Sequence, residues 1–326
     1  MEQRHLGRTG LRVSRLGLGT LTWGRDTGEL DAADQLKAFW EAGGTLVDTA
    51  DVYGDGGAEY LLGRLVEDLV PRSDLVIATK AGSVPDPYRR FDASRGHLLT
   101  ALDASLQRLG TDYVDLWQVH AYDTTTPLDE TLQALDLAVS SGRARYVGVS
   151  NFCGWQLAKA ATWQQALPAR TPLASTQMEY SLLQRGIERE VLPAALDLGV
   201  GLLPSSPLGR GVLTGKYRHG TPQDSRGGSE DMAPFVAPYL DETARLIVDA
   251  LAIAADGLAA SPLEVALAWV RDRPGVTAPI VGARNARQLA AALSVETLSL
   301  PDEICQALDD VSAPVHRYPD HDWSTL

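Results

Sequence analysis

Cysteine, basic charge and long apolar runs are what this 326-residue chain has least of. Its two cysteines, Cys153 and Cys305, lie far apart and outside any Cys-x-x-Cys spacing. A zinc cluster or a disulfide framework is therefore excluded, and no metal is expected. No apolar stretch approaches the roughly 20 residues that a membrane helix requires. The opening residues, Met1-Glu2-Gln3-Arg4-His5, are polar and lack the apolar centre of a secretory signal. A cytoplasmic setting with reduced thiols is the expectation. With 29 Lys and Arg against 42 Asp and Glu, the formal charge is -13 and the pI is near 4.9. Long-range repulsion then opposes binding to nucleic acid or to an anionic membrane surface. An anionic ligand would have to meet basic residues placed locally. Also missing is a Gly-x-Gly-x-x-Gly fingerprint, so a dinucleotide held in the Rossmann manner is not expected.

What is present is ordinary for a globular chain, at 44% hydrophobic and 22% charged residues. Short β-rich runs alternate with segments of helical period, the signature of a parallel sheet crossed over by helices. Strands are expected at 16–19, 45–48, 75–80, 113–120, 146–150, 175–180, 201–205 and 278–281. That is the eight-strand complement of a (β/α)8 TIM barrel, in a single domain spanning 1–326. His5 to Ser14 carries a Gly-containing turn between short apolar stretches and reads as a β-hairpin capping the barrel bottom. Leu98, Leu102, Leu106 and Leu109 recur at helical spacing before Gly110, and Leu132, Leu135 and Val139 do so before Gly142. Leu61, Leu62, Leu65 and Leu69 form another such stripe. Asp31 and Ser261 are expected helix N-caps, the latter followed by Pro262 at the first helical position. The Gly-, Pro-, Ser- and acid-rich stretch 219–238 reads as a lid loop. A C-terminal tail, 312–326, brings His316, Tyr318, His321 and Trp323 for docking over the barrel mouth.

Four polar residues sit at or just past strand ends, where a barrel enzyme keeps its chemistry. Asp48, Lys80 and His120 each end an apolar run, and Tyr53 lies on the loop after the first. Singly, these would read as a helix cap, a surface charge, a core histidine and loop packing. Converging at one mouth, they would make a proton-donating site for carbonyl reduction. A free phenol has a reference pKa of about 10, which a nearby ammonium lowers. Lys80 would supply that charge, Asp48 would hold Lys80, and His120 would orient the carbonyl oxygen.

The motifs Gly17-Leu18-Gly19-Thr20, Asp48-Thr49-Ala50-Asp51-Val52-Tyr53-Gly54, Ala78-Thr79-Lys80, Gln118-Val119-His120, Val147-Gly148-Val149-Ser150-Asn151-Phe152, Ser206 to Tyr217 and Gly282-Ala283-Arg284 follow in order. Together they resemble the aldo-keto reductase family, over nearly the whole chain. His120-Ala121-Tyr122-Asp123 and Thr126-Pro127-Leu128-Asp129-Glu130 look most like its aryl-alcohol dehydrogenase group.

The resemblance implies NADP(H) as hydride carrier and a small-molecule carbonyl substrate. It assigns Ser150, Asn151 and Gln177 to the nicotinamide carboxamide, with Asp48 beside them. Ser206, Leu208, Arg210 and Lys216 fall on the pyrophosphate, and Arg284 and Gln288 on the adenosine end. Gly19, Thr20, Trp23, Ser205, Pro207 and Gly282 fall along the same groove. At Ser205 the family commonly carries an aromatic that stacks on the nicotinamide, and Trp23 or Tyr180 would have to compensate. Leu289-Ala290-Ala291-Ala292 stands where an adenine contact is usual. Trp23, Trp117, Tyr122 and Trp323 are candidates for an aromatic substrate lining. Two other readings keep the barrel and change the function. One is a cofactor-binding regulatory subunit with slow turnover, and the other is an aldolase using Lys80 as a Schiff base.

Overall fold

β-Branched and apolar residues concentrate in short runs because each barrel stave is buried on both faces, by the interior on one side and by helices on the other. A computed structural model describes residues 1–314 apart from Pro87 and Asp231. Strands β1 (Gln3–His5) and β2 (Arg12–Ser14) pair antiparallel as the expected hairpin. Eight parallel strands follow: β3 (Gly17–Gly19), β4 (Leu46–Asp48), β5 (Val76–Ala81), β6 (Val114–Val119), β7 (Ala144–Ser150), β8 (Leu173–Glu179), β9 (Gly201–Ser205) and β10 (Ile280–Gly282). Their spatial order is β10-β3-β4-β5-β6-β7-β8-β9. The seam between β9 and β10 is bridged where the Thr277 amide donates to the Leu202 carbonyl at 2.8 Å. The (β/α)8 barrel is the observed architecture.

Helices α1 (Glu29–Glu41), α2 (Gly57–Leu65), α3 (Arg95–Leu109), α4 (Leu128–Ser140), α5 (Gly154–Ala166) and α6 (Val191–Leu198) follow successive barrel strands. Beyond β9 come the short α7 (Ala233–Val236), then α8 (Glu242–Gly257), α9 (Pro262–Arg271), α10 (Ala286–Leu293) and α11 (Asp302–Val311). Ser94 precedes α3, and Gly110 ends it as expected, left-handed at φ 64°. Ser261 caps α9 through a reciprocal pair with Glu264, and Pro262 opens the helix. The start expected at Asp31 lies earlier: Gly28 is the N-cap, and Asp31 sits in the first turn, where its charge complements the helix dipole. Leu69 also leaves its assigned stripe, because the chain turns through a left-handed Glu67 after α2 ends. The 219–238 stretch holds a short 3-10 turn at Arg226–Gly228 as well as α7. His316, Tyr318, His321 and Trp323 lie outside the described residues. Among the described residues no single helix is long and apolar enough to cross a membrane.

Strand alternation sorts the interior into layers. Leu46, Ala78, Leu116, Ala174, Leu203 and Ala278 form a lower plug with Leu6 and Val13 of the hairpin. Two residues further along β4, β5 and β6 the inward positions become Asp48, Lys80 and Gln118. Trp117 therefore faces the helix layer, fully buried, and cannot line the mouth. The Gly17 and Gly19 pair makes room for Ile280: a Cβ on either would lie 2.5 or 2.8 Å from its side chain.

Gly148 is squeezed in the same way between β6 and β8. A Cβ there would lie 2.1 Å from Ser175 Oγ and 2.8 Å from the Ser175 carbonyl oxygen, which cannot rotate away. Gly148→Ala is expected to destabilise the barrel by about 1–3 kcal/mol, through overpacking against backbone. A thermal midpoint equal to that of the parent protein would show that the interior yields there.

Candidate active site

The ends of β4, β5 and β6 bring Asp48, Lys80 and His120 to one mouth, and the loop after β4 folds Tyr53 back over them. Lys80 Nζ donates to Asp48 Oδ2 at 2.7 Å, to the Thr49 carbonyl at 2.7 Å and to Tyr53 Oη at 3.4 Å. Asp48 Oδ1 accepts from Gln177 Nε2 at 2.8 Å, so both carboxylate oxygens are committed. The Tyr53 and His120 rings meet edge to face at 6.0 Å. Asn151 Nδ2 donates to the His120 carbonyl at 3.0 Å and to Ser150 Oγ at 3.1 Å. Ser150 in turn donates to the Gln177 carbonyl at 3.0 Å. Residues from five strand ends thus form one connected polar set.

Burial dominates the electrostatics. The Lys80 side chain is 0% exposed and that of Asp48 4%. Burial alone would push the Lys80 ammonium down, but Asp48 and Tyr53 outweigh it and hold the group above its ordinary value. A Schiff base requires a neutral amine, so this environment opposes the aldolase reading of Lys80. Tyr53 departs from expectation in direction: burial raises its phenol, and Lys80 offsets only part of that rise. The ammonium moderates the phenol and does not make it acidic. His120 is driven down to about 3 by burial and by Lys80, so its imidazole is neutral throughout the neutral range. Its Nδ1 is buried without a partner among the described residues.

From this cluster a groove of about 690 Å³ runs between the β9 and β10 ends. Its walls include Gly19, Ser150, Asn151, Gln177, Ser205, Ser206, Pro207 and Leu208, and at the far end Gly282, Arg284 and Gln288. The chain after β9 turns sharply, with Ser206, Gly209, Arg210 and Gly211 all at positive φ. Lys216, Arg226 and Arg284 meet at the far end. No carboxylate lies within ion-pair distance of any of the three among the described residues, and burial, with their mutual repulsion, depresses Lys216 and Arg226. Three cations gathered without an ion pair among the described residues, in a chain of charge -13, fit a polyanionic ligand. Arg226 was missed from sequence, where it lies in a stretch whose composition signals only a loop.

Several assigned groove residues are engaged elsewhere. Arg210 borders the groove, but its guanidinium makes a two-point pair with Glu179 at 3.0 and 2.7 Å and donates to the Phe235 carbonyl at 2.6 Å. Sandwiched by the Phe235 and Tyr239 rings, it is not free for a phosphate. Thr20 is buried, donating its hydroxyl to the Asp48 carbonyl. Trp23 is fully buried in the core with Nε1 donating to Gln35, and Tyr180 is buried with its hydroxyl donating to Glu188. Neither ring can stand in for an aromatic at Ser205, because both belong to helix-side packing. Tyr122 packs edge to face on Phe152 and Trp155.

The buried pair yields a stability test. Asp48→Asn leaves the Lys80 ammonium without its counter-charge and is expected to cost about 3–5 kcal/mol. Adding Lys80→Met removes the stranded charge and should restore most of that loss. Urea midpoints for the single and double variants measure both effects, and an undiminished midpoint for Asp48→Asn would mean that other groups neutralise Lys80.

Comparison with known proteins agrees with this architecture. The chain is 38% identical to the uncharacterized oxidoreductase YrpG of Bacillus subtilis (strain 168), over 95% of this chain and 96% of that one. It is 36% identical to a probable voltage-gated potassium channel subunit beta of Oryza sativa subsp. japonica, over 98% of each. L-glyceraldehyde 3-phosphate reductase of Escherichia coli (strain K12) is 36% identical, over 89% of this chain and 86% of its own. The profile of the Aldo/keto reductase family matches residues 15–313. With that span covering the barrel and every residue of the mouth, the chain belongs to the aldo/keto reductase family and is an oxidoreductase by kinship.

Proposed function

We propose that the protein reduces an aldehyde or ketone to the alcohol, with NADPH as hydride donor and Tyr53 as proton donor. The observation that carries this reading is the buried Asp48–Lys80 pair reaching Tyr53 Oη beside a neutral His120. A bound nicotinamide would supply the hydride. Tyr53 Oη would donate a hydrogen bond to the carbonyl oxygen and release its proton as negative charge builds there. An alkoxide is far more basic than a phenolate, so a phenol held above its ordinary pKa still transfers its proton downhill. Lys80 would steady the phenolate left behind. His120, as a neutral imidazole, would orient the carbonyl oxygen by donating a hydrogen bond.

Asn151 and Gln177 lie where they can hold a carboxamide, while Lys216, Arg226 and Arg284 can neutralise the cofactor's phosphates. Arg284 lines the groove, whereas Arg287, three residues on, is exposed and lies outside the groove wall. A charge-assisted contact is worth on the order of 1.5–3 kcal/mol. The preference for NADPH over NADH therefore rests on Arg284 with Arg226. The 219–238 stretch, which supplies Arg226 and Phe235 to the wall, would act as a lid over the bound cofactor. Free thiols at Cys153 and Cys305 suit a cytoplasmic setting. A second reading follows from the relatives named as channel subunits: the same groove could serve a cofactor-binding regulatory subunit in which turnover is slow.

Nicotinamide absorbance, followed with a panel of aromatic aldehydes, quinones and ketosugars, separates the readings. Tyr53→Phe is expected to lower kcat by roughly a hundredfold or more with NADPH affinity unchanged. Tight NADPH binding without turnover in either protein would favour the regulatory role. Arg284→Ala should weaken NADPH roughly ten- to a hundredfold while sparing NADH. Equal losses for both cofactors would remove Arg284 from the 2'-phosphate.

A further inference from the structure

Asp51 lies on the loop between Asp48 and Tyr53, and its backbone amide donates to the Lys80 carbonyl at 3.1 Å. Its place is thus tied to the strand end that carries the ammonium. Its Oδ1 is shut off from solvent and meets no donor among the described residues. The charged groups facing it come from three neighbouring elements and its own loop: Glu59 on α2, Arg108 on α3, Lys80 on β5, and Tyr53.

The cations in that ring are already committed. Arg108 gives Nε to Glu59 Oε2 at 2.8 Å and Nη2 to the same carboxylate at 2.6 Å, with a further bond to Ser105 Oγ. Glu59 is fully buried, and its other oxygen accepts the Thr79 hydroxyl. Lys80 is held by Asp48. Asp51 is left facing a second carboxylate with no ion pair of its own among the described residues. Burial and Glu59 raise its carboxyl to about 7, against the weaker pull of Arg108, the Val52 amide and Lys80. Nothing in the reaction outlined above uses this group.

We propose that Asp51 is a positioning residue whose charge state sets how readily Tyr53 gives up its proton. This rests on Tyr53 being the proton donor. When ionised, Asp51 places negative charge near a nascent phenolate and makes Tyr53 a weaker acid. When protonated, it removes that penalty. Rising pH therefore weakens the donor in a partial step centred near the Asp51 midpoint, before Tyr53 itself titrates. A carboxyl raised in the folded state also costs stability as pH climbs from its unfolded value through its folded one. Asp51→Asn should therefore fold, with a higher thermal midpoint than the parent at alkaline pH.

The test has two independent readouts. Carbon-13 NMR of aspartate carboxyls, assigned by loss of the signal in Asp51→Asn, is expected to give a midpoint near neutrality. The Tyr53 ring carbon, assigned with Tyr53→Phe, should shift at that same midpoint in the parent and not in Asp51→Asn. In steady-state reduction, kcat/KM should fall roughly three- to tenfold across this midpoint. The step should vanish in Asp51→Asn and return in Asp51→Glu. A carboxyl midpoint in the ordinary aspartate range, or a Tyr53 signal indifferent to Asp51, would overturn the proposal. The NMR arms need no substrate, so a protein that reduced no carbonyl would undo the reductase reading while Asp51 was still judged by its coupling to Tyr53.

Discussion

A fully buried ammonium against a nearly buried carboxylate is the constraint from which the rest of the site follows. Such a pair is tolerated only when the remaining protons and lone pairs are also satisfied. Lys80 spends its three donors on Asp48, the Thr49 carbonyl and Tyr53. Asp48 needs a second donor and finds it in Gln177, across the barrel. The Gln177 carbonyl engages Ser150, which engages Asn151, which engages the His120 carbonyl. Together the links join polar groups carried on different strand ends close to the barrel interior. Polar contacts thus tie the strand ends around the mouth to one another, alongside the apolar packing beneath them.

Charge is distributed against the grain of the molecule. Overall the chain repels anions, yet Lys216, Arg226 and Arg284 stand together at one end of the groove with no ion pair among the described residues. Their mutual repulsion is a local cost that an anionic ligand would relieve. Arg210 shows the opposite arrangement, its guanidinium neutralised by Glu179 and clamped between two rings. One arginine serves as a strut within the fold, while the others remain available to a ligand. At the reacting end, neutral His120 and raised Tyr53 keep a compact array of groups from accumulating more charge than Lys80 already brings.

The barrel was legible because period-two strands and helical leucine stripes are local signals, and so was the hairpin beneath it. The mouth residues were legible because a polar residue ending an apolar run is conspicuous. Boundaries shifted where local rules competed. Gly28 took the cap expected of Asp31, and Leu69 was lost from its stripe when the chain turned at Glu67. Trp23 and Tyr180 were expected in the groove because they flank its motifs, but their rings point into the helix layer.

From the sequence alone came the fold class, the family and the set of residues at the mouth, since each depends on the order of residue types along short segments. Tertiary structure decided which way Trp117 and Gln118 face, which arginines are free, and that Arg226 joins Arg284. It also decided the direction of the Tyr53 shift and that Asp51 Oδ1 is buried with no donor among the described residues. Those outcomes depend on burial and on which partner has already been taken, both of which are sums over residues distant in the chain.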